Sequence, residues 1–137
     1  MKNTKIDTII FDFGGVILDI DPKLTYEAFS KFSPKSIDDK EIKAIVNKFE
    51  KGILTPEIFR SKMCDTLNIK LSNSQFDEAW NALLFDIPRE RIETIEQVKT
   101  HYNTILLSNS NEIHYDLYVR DLQLRFGYRE FDSLFHK

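Results

Sequence analysis

Two short apolar runs, Ile9-Ile10-Phe11 and Thr104-Ile105-Leu106-Leu107, each break off into a polar loop. The first stops at Asp12, just ahead of Gly14-Gly15, and the second at Ser108-Asn109-Ser110-Asn111. Lys5 to Phe11 is β-branched and aromatic at its end, which predicts a short buried strand followed by a turn. The run 104–107 is wholly apolar, which predicts a strand buried on both faces of a parallel sheet. Ligands of open α/β sheets bind at the carboxyl ends of strands. Both polar loops occupy that position.

The sequence between the two runs has a helical period. Asp21-Pro22 supplies an N-cap and a first-turn proline, and Leu24, Ala28, Phe29 and Phe32 then share a face, up to Pro34. A second helix is predicted over 38–51, with Ile42, Ile45, Val46 and Phe49 inward and Gly52 closing it. Thr55-Pro56 opens a third, burying Phe59, Met63 and Leu67. Ser72 and Gln75 form a capping box for a fourth, burying Phe76, Ala79, Trp80 and Leu83. After Pro88 comes a helix with Ile92, Ile95, Val98 and Tyr102 on one side, ended by Asn103. A last helix starts in the second loop with Ile113 and Leu117 inward, and Phe131, Leu134 and Phe135 are expected to be buried in the tail. The fold class is α/β: residues 1–20 plus 87–137 form a core with a partial parallel sheet, and 21–86 form an inserted helical cap.

Composition excludes several classes. The 137 residues carry 19 basic and 22 acidic side chains, a formal charge of -3, so there is no basic footprint for nucleic acid. One cysteine, Cys64, rules out an internal disulfide framework and a cysteine-rich zinc site. Its helical setting predicts a buried or half-buried thiol. Asp7 and Asp12 interrupt the apolar stretch that a secretory signal needs, and no run is long enough for a membrane span. A cytoplasmic protein is expected, with neither membrane nor nucleic acid as partner. His101, His114 and His136 are scattered without metal-ligand spacing and are expected at the surface.

Asp12 lies at the mouth of the sheet beside two glycines. An aspartate there can attack a phosphoryl group or ligate Mg²⁺, which prefers a few carboxylates plus phosphate oxygens. Taken alone it is equally a turn aspartate. Ser108 holds the matching place after the second strand, where its hydroxyl and the following N–H groups can hold phosphoryl oxygens. It serves equally well as the N-cap of the next helix. Phe13, between Asp12 and the glycines, is a candidate pocket-lining residue.

Phe11-Asp12-Phe13-Gly14-Gly15-Val16-Ile17-Leu18-Asp19 resembles the first motif of the haloacid dehalogenase (HAD) superfamily. Leu106-Leu107-Ser108-Asn109-Ser110-Asn111 resembles its second motif, in the form found in the glucose-1-phosphate-phosphatase-like branch. The helical block is similar to that family's cap inserted after the first strand. The resemblance implies a HAD-like Rossmannoid core and a Mg²⁺-dependent phosphatase. It makes Asp12 nucleophile and metal ligand, and Gly14 a metal contact through its backbone carbonyl. Ser108 becomes the phosphoryl-binding hydroxyl, with Asn109 beside it.

Two departures accompany it. Many family phosphatases carry an aspartate as general acid and base two residues after the nucleophile, where this chain has Gly14. The family's third-motif lysine and fourth-motif acidic pair have no counterpart within the 137 residues. The chain is therefore expected to be the first two thirds of such a protein, with little activity alone and an open sheet edge suited to self-association. The expected function is hydrolysis of a small phosphorylated metabolite, such as a sugar phosphate, through an aspartyl-phosphate. The alternative is a catalytically incompetent fragment or phosphate-binding module. A haloacid dehalogenase ranks below both, because Gly14-Gly15 does not fit that branch.

Overall fold

The computed structural model of the chain describes residues 5–137. Two strands and seven helices follow one another as β1 (Thr8–Phe11), α1 (Pro22–Ser30), α2 (Lys40–Glu50), α3 (Pro56–Leu67), α4 (Asn73–Asn81), α5 (Arg89–Lys99), β2 (Asn103–Leu106), α6 (Glu112–Phe126) and α7 (Phe131–Leu134). They form two compact units. One comprises Met1–Ile20 (described from Lys5), Phe85–Ser108 and Tyr118–Lys137; the other comprises Asp21–Leu84 and Asn109–Leu117.

The first unit is α/β. β1 and β2 pair in parallel, in the register Thr8↔Asn103 through Phe11↔Leu106. The strands are shorter than the sequence suggests and are not buried on both faces: Ile10 is 60% and Leu107 68% exposed. Side chains alternate across a strand, so Ile10 faces away from Phe11. Phe11 packs against Phe135 at 5.7 Å between centroids. The edge of β2 away from β1 is not open either. Lys137 N–H donates to Thr104 O at 3.2 Å and Leu106 N–H to Lys137 O at 2.9 Å, the bonding of a parallel ladder. Ile92 and Ile95 of α5 are buried, and so are Phe131, Leu134 and Phe135. Along α6 the inward residues are Tyr118 and Leu122, whereas Leu117 is 39% exposed. Tyr102 is exposed beyond the end of α5.

The second unit is helical. Asp21 caps α1 by accepting from Lys23 N–H, Thr55 caps α3, and Ser72 and Gln75 make a reciprocal capping box at α4. Gly52, at φ 72°, ends α2. Its N–H reaches Phe49 O and Ile53 N–H reaches Lys48 O, both at 2.9 Å, so the two bonds satisfy carbonyls that the helix leaves open. Phe59 is the hub of the core. It stacks flat on Phe49 at 4.0 Å and meets Phe76 and Trp80 edge-on at 5.6 and 5.0 Å. Phe32 is not part of this core: α1 stops at Ser30, and Ser33 turns inward to donate to Leu67 O at 2.8 Å. Ile113 belongs to the same apolar cluster as Trp80, which is why Asn109–Leu117 groups with the helices.

His114 is not a surface residue. Its ring stacks on Trp80 at 5.4 Å with a 9° interplanar angle, and its Nδ1 lies 2.7 Å from Asn81 Oδ1. Burial pulls its pKa down from 6.5 to about 4. Cys64 is half-buried, and burial raises its pKa. His101 and His136 are exposed.

Two outcomes are expected. Phe59→Ala, which empties the hub of the aromatic cluster, costs about 3–5 kcal/mol in denaturant unfolding. The unfolded chain binds a proton at His114 below pH 6.5, but the folded chain does so only near pH 4. Stability therefore falls as pH drops through that window, by on the order of 2–3 kcal/mol, and is fully retained above it. Melting curves of wild type and His114→Phe between pH 7 and 4 check this; equal acid sensitivity in both contradicts it.

Candidate functional site

The ladder ends where the polar loops begin. Phe11 pairs with Leu106, and Leu107 N–H donates to Phe11 O at 2.9 Å. Asp12 and Ser108 therefore leave the same end of neighbouring parallel strands, Asp12 one residue past the paired rung and Ser108 two. Both are exposed.

The loop after Asp12 is folded onto itself. Phe13 O accepts from Val16 and Ile17 N–H at 3.1 and 2.8 Å, and Gly15 N–H donates to Leu18 O at 2.7 Å. This closure buries Ile17 and Leu18. Gly15 has φ +76°, the left-handed region that favours glycine. Gly14 lies outside that region, and a Cβ there would meet Ile20 Cδ1 at an ordinary 3.6 Å. The loop's bonds run through Phe13 O and Gly15 N–H and leave the Gly14 carbonyl outside them. Asp12 Oδ1 accepts from Phe13 N–H at 2.7 Å, which orients the carboxylate.

Phe13 does not line a pocket. It is 3% exposed, with its ring against Tyr118 at 4.4 Å and Phe131 at 5.2 Å. An aromatic side chain alternating with Asp12 points into the core of the α/β unit, and its place in the motif is one of packing. Asp19 and Asp21 are engaged structurally: Asp19 Oδ1 is 3.0 Å from Arg91 Nη2, and Asp21 caps α1.

Ser108 is not the N-cap of the helix that follows. α6 begins at Glu112, and Asn111 caps it: Asn111 Oδ1 accepts from His114 N–H at 3.0 Å. Among the described residues, the Ser108 hydroxyl has no hydrogen-bond partner. Asn109 is exposed and groups with the helical unit. Ser110 Oγ is buried without a partner. Asn111 escaped notice in the sequence because Ser108-Asn109-Ser110-Asn111 offers four capping residues in a row. The signal was the Glu112-Ile113 pair directly after the last of them.

As oxygen donors, the Asp12 carboxylate and the free Gly14 carbonyl fit a hard divalent cation such as Mg²⁺. Among the described residues, no group of three or more His, Cys, Asp and Glu side chains could hold a metal ion. No helix among them is long and apolar enough to cross a membrane.

No family model matches the chain. It is 31% identical over 110 residues to a D-ribitol-5-phosphate phosphatase of Bacteroides thetaiotaomicron, a match covering 77% of this chain and 53% of that protein. The chain thus spans about half the length of this curated relative. A HAD family enzyme of the same organism, crystallised with magnesium and inorganic phosphate, superimposes with a TM-score of 0.80 at 30% identity, over 97% of this chain and 67% of that one. A variant of that enzyme, also with magnesium and phosphate, gives a TM-score of 0.86 at 28% identity with the same coverage. A predicted HAD-like family hydrolase of Porphyromonas gingivalis shares the fold, with a TM-score of 0.80 at 24% identity over 95% of this chain and 63% of its own. Its α/β architecture, its two motif loops at adjacent strand ends and these likenesses agree: the chain belongs to the haloacid dehalogenase (HAD) family.

Proposed function

We propose that the chain carries the nucleophile and phosphoryl-binding loops of a Mg²⁺-dependent phosphatase acting on a small phosphorylated metabolite. One observation carries the reading. The last rung of the β1–β2 ladder sets the Asp12 loop beside the Ser108 loop, and Asn111 does the capping that would otherwise occupy the Ser108 hydroxyl. The relatives crystallised with magnesium and inorganic phosphate support the same chemistry.

In the first half-reaction a carboxylate oxygen of Asp12 bonds to phosphorus as the ester P–O bond breaks. The leaving alkoxide takes a proton from water, because Gly14 offers none. In the second, water attacks phosphorus as the Asp12 carboxylate–phosphorus bond breaks, its proton neutralises the hydroxide left by the first step, and inorganic phosphate and the free carboxylate result. The Phe13 N–H bond to Asp12 Oδ1 holds the nucleophile in one orientation. Ser108 Oγ and the loop N–H groups, Asn109's included, donate to the phosphoryl oxygens. When bound, Mg²⁺ would be held by the Asp12 carboxylate and the Gly14 carbonyl and would offset the phosphoryl charge.

The substrate class extends beyond sugar 1-phosphates. The leaving group of D-ribitol 5-phosphate, named for the curated relative, is a primary alcohol. Sugar and polyol phosphates are therefore the first compounds to assay. The inserted helical block, residues 21–86, serves as the cap in this reading.

In the longest form of the protein that the gene encodes, Asp12→Asn abolishes release of phosphate from p-nitrophenyl phosphate. The amide is a far weaker nucleophile and a poorer metal ligand. Ser108→Ala loses one hydrogen bond to a charged group, about 1.5–3 kcal/mol, and slows turnover roughly 10- to 150-fold. Full activity in Asp12→Asn would overturn the assignment. The room at the Gly14 Cβ position admits Gly14→Asp without backbone strain. If leaving-group protonation limits the rate, this variant speeds hydrolysis of alkyl phosphates more than of sugar 1-phosphates. Equal effects on both would show that a proton at this position is not what the site lacks.

A further inference from the structure

The helical unit holds a cleft of about 340 Å³ lined entirely by its own residues. The buried part of that lining is apolar and comes from three helices: Ile42, Met63 and Trp80. His114 lies flat on Trp80 there, and burial keeps its ring neutral down to about pH 4. One wall is a stripe of α2, on which Lys43, Asn47 and Glu50 share a helix face. This size, and an apolar lining with a few polar groups, are those of a small-molecule site.

Charge selects the occupant. Lys43 Nζ is spent on Asp38 Oδ1 at 2.6 Å. Among the described residues, the Glu50 carboxylate makes no hydrogen bond or ion pair, and the Asn47 amide makes no hydrogen bond. The one unpaired charge in the lining is therefore negative. Glu50 is also the last residue of α2, where the negative end of the helix dipole adds to it. It borders a second cleft of the same unit, about 370 Å³, where Glu112 and Asp116 contribute two more carboxylates and no basic side chain lines the wall. Arg60, whose charge interacts with Asp116, is committed to Asp77 through two bonds of 2.8 Å. Such a rim repels a phosphorylated compound and attracts an ammonium group, and the Tyr26 ring in the lining favours a cation as well.

We propose that the helical unit binds a small organic amine, its apolar body in the cleft over Met63 and Trp80 and its protonated amino group on Glu50. The proposal goes beyond the phosphatase reading and needs neither Asp12 nor Ser108.

Benzylamine, benzyl alcohol and benzoate carry the same ring with a positive, a neutral and a negative group. Each is titrated into the full chain, with the Met63 methyl resonance of methyl-labelled protein as the signal from inside the cleft. Benzylamine is expected to shift that resonance saturably, with a dissociation constant on the order of 1 mM. Benzyl alcohol is expected to bind about threefold to fivefold more weakly, the range of a solvent-exposed ion pair. Benzoate is expected not to saturate. Glu50→Gln keeps the fold, because the side chain is exposed, and brings the amine down to the affinity of the alcohol. Val46→Phe narrows the cleft and weakens both; if it fails to fold, Glu50→Gln alone decides. A Met63 resonance that benzylamine leaves unmoved overturns the proposal. So does equal binding of the three compounds, or a preference for the amine that survives in Glu50→Gln.

Discussion

The hydrogen bond from Leu107 N–H to Phe11 O is the point on which the layout of the α/β unit's two motif loops depends. It extends the parallel ladder one residue past the paired strands and makes two distant stretches of sequence end together. A parallel arrangement cannot be closed by a tight turn. The chain must travel from Phe11 to Asn103 through other structure, and five helices occupy that interval. Once the strands are in register, both loops leave the same end of the sheet without further instruction.

Each loop is then shaped by its own local bonds. After Asp12, the Phe13 carbonyl gathers the N–H groups of Val16 and Ile17 and so compacts the turn. The compaction buries Phe13, Ile17 and Leu18 and leaves Asp12 outside. After Leu107, by contrast, the backbone stays unbonded until Asn111. One loop is closed by its own contacts, and the other leaves its backbone N–H groups unbonded. For the proposed nucleophile, Asp12, a closed loop fixes the angle of approach. For the proposed phosphoryl-binding loop, unbonded N–H groups remain available, because donors already spent on one another cannot bind an anion.

Much of this was legible in the residues. Helix starts were clearest: Asp21-Pro22, Thr55-Pro56 and the Ser72/Gln75 box all cap as their chemistry dictates. Strand pairing followed from apolar runs that stop at polar loops. The failures share a cause. Phe32, Leu117 and Tyr102 continue a helical period on paper, but each lies at or beyond the point where its helix ends or its surroundings change, so the period alone predicts burial that packing does not supply. Phe13 was misplaced for a related reason: closeness in sequence to Asp12 says nothing about side-chain direction, which alternates in extended chain. Leu107 and Ile10 read as buried because apolar runs do not reveal how many strands a sheet has. His114 could not be placed without knowing that its ring meets the indole of α4.

Trp80 is the only tryptophan in the chain, and it lies in the aromatic core of the helical unit, 7% exposed. The α/β unit has none. Indole fluorescence is therefore an optical label that the sequence places in one unit alone. A buried indole emits at shorter wavelength than a solvated one, so its red shift tracks the opening of the helices around Phe59. Far-ultraviolet circular dichroism sums helices from both units. The two signals coincide along a denaturation curve when the units unfold in a single transition, and they separate when one unit outlasts the other.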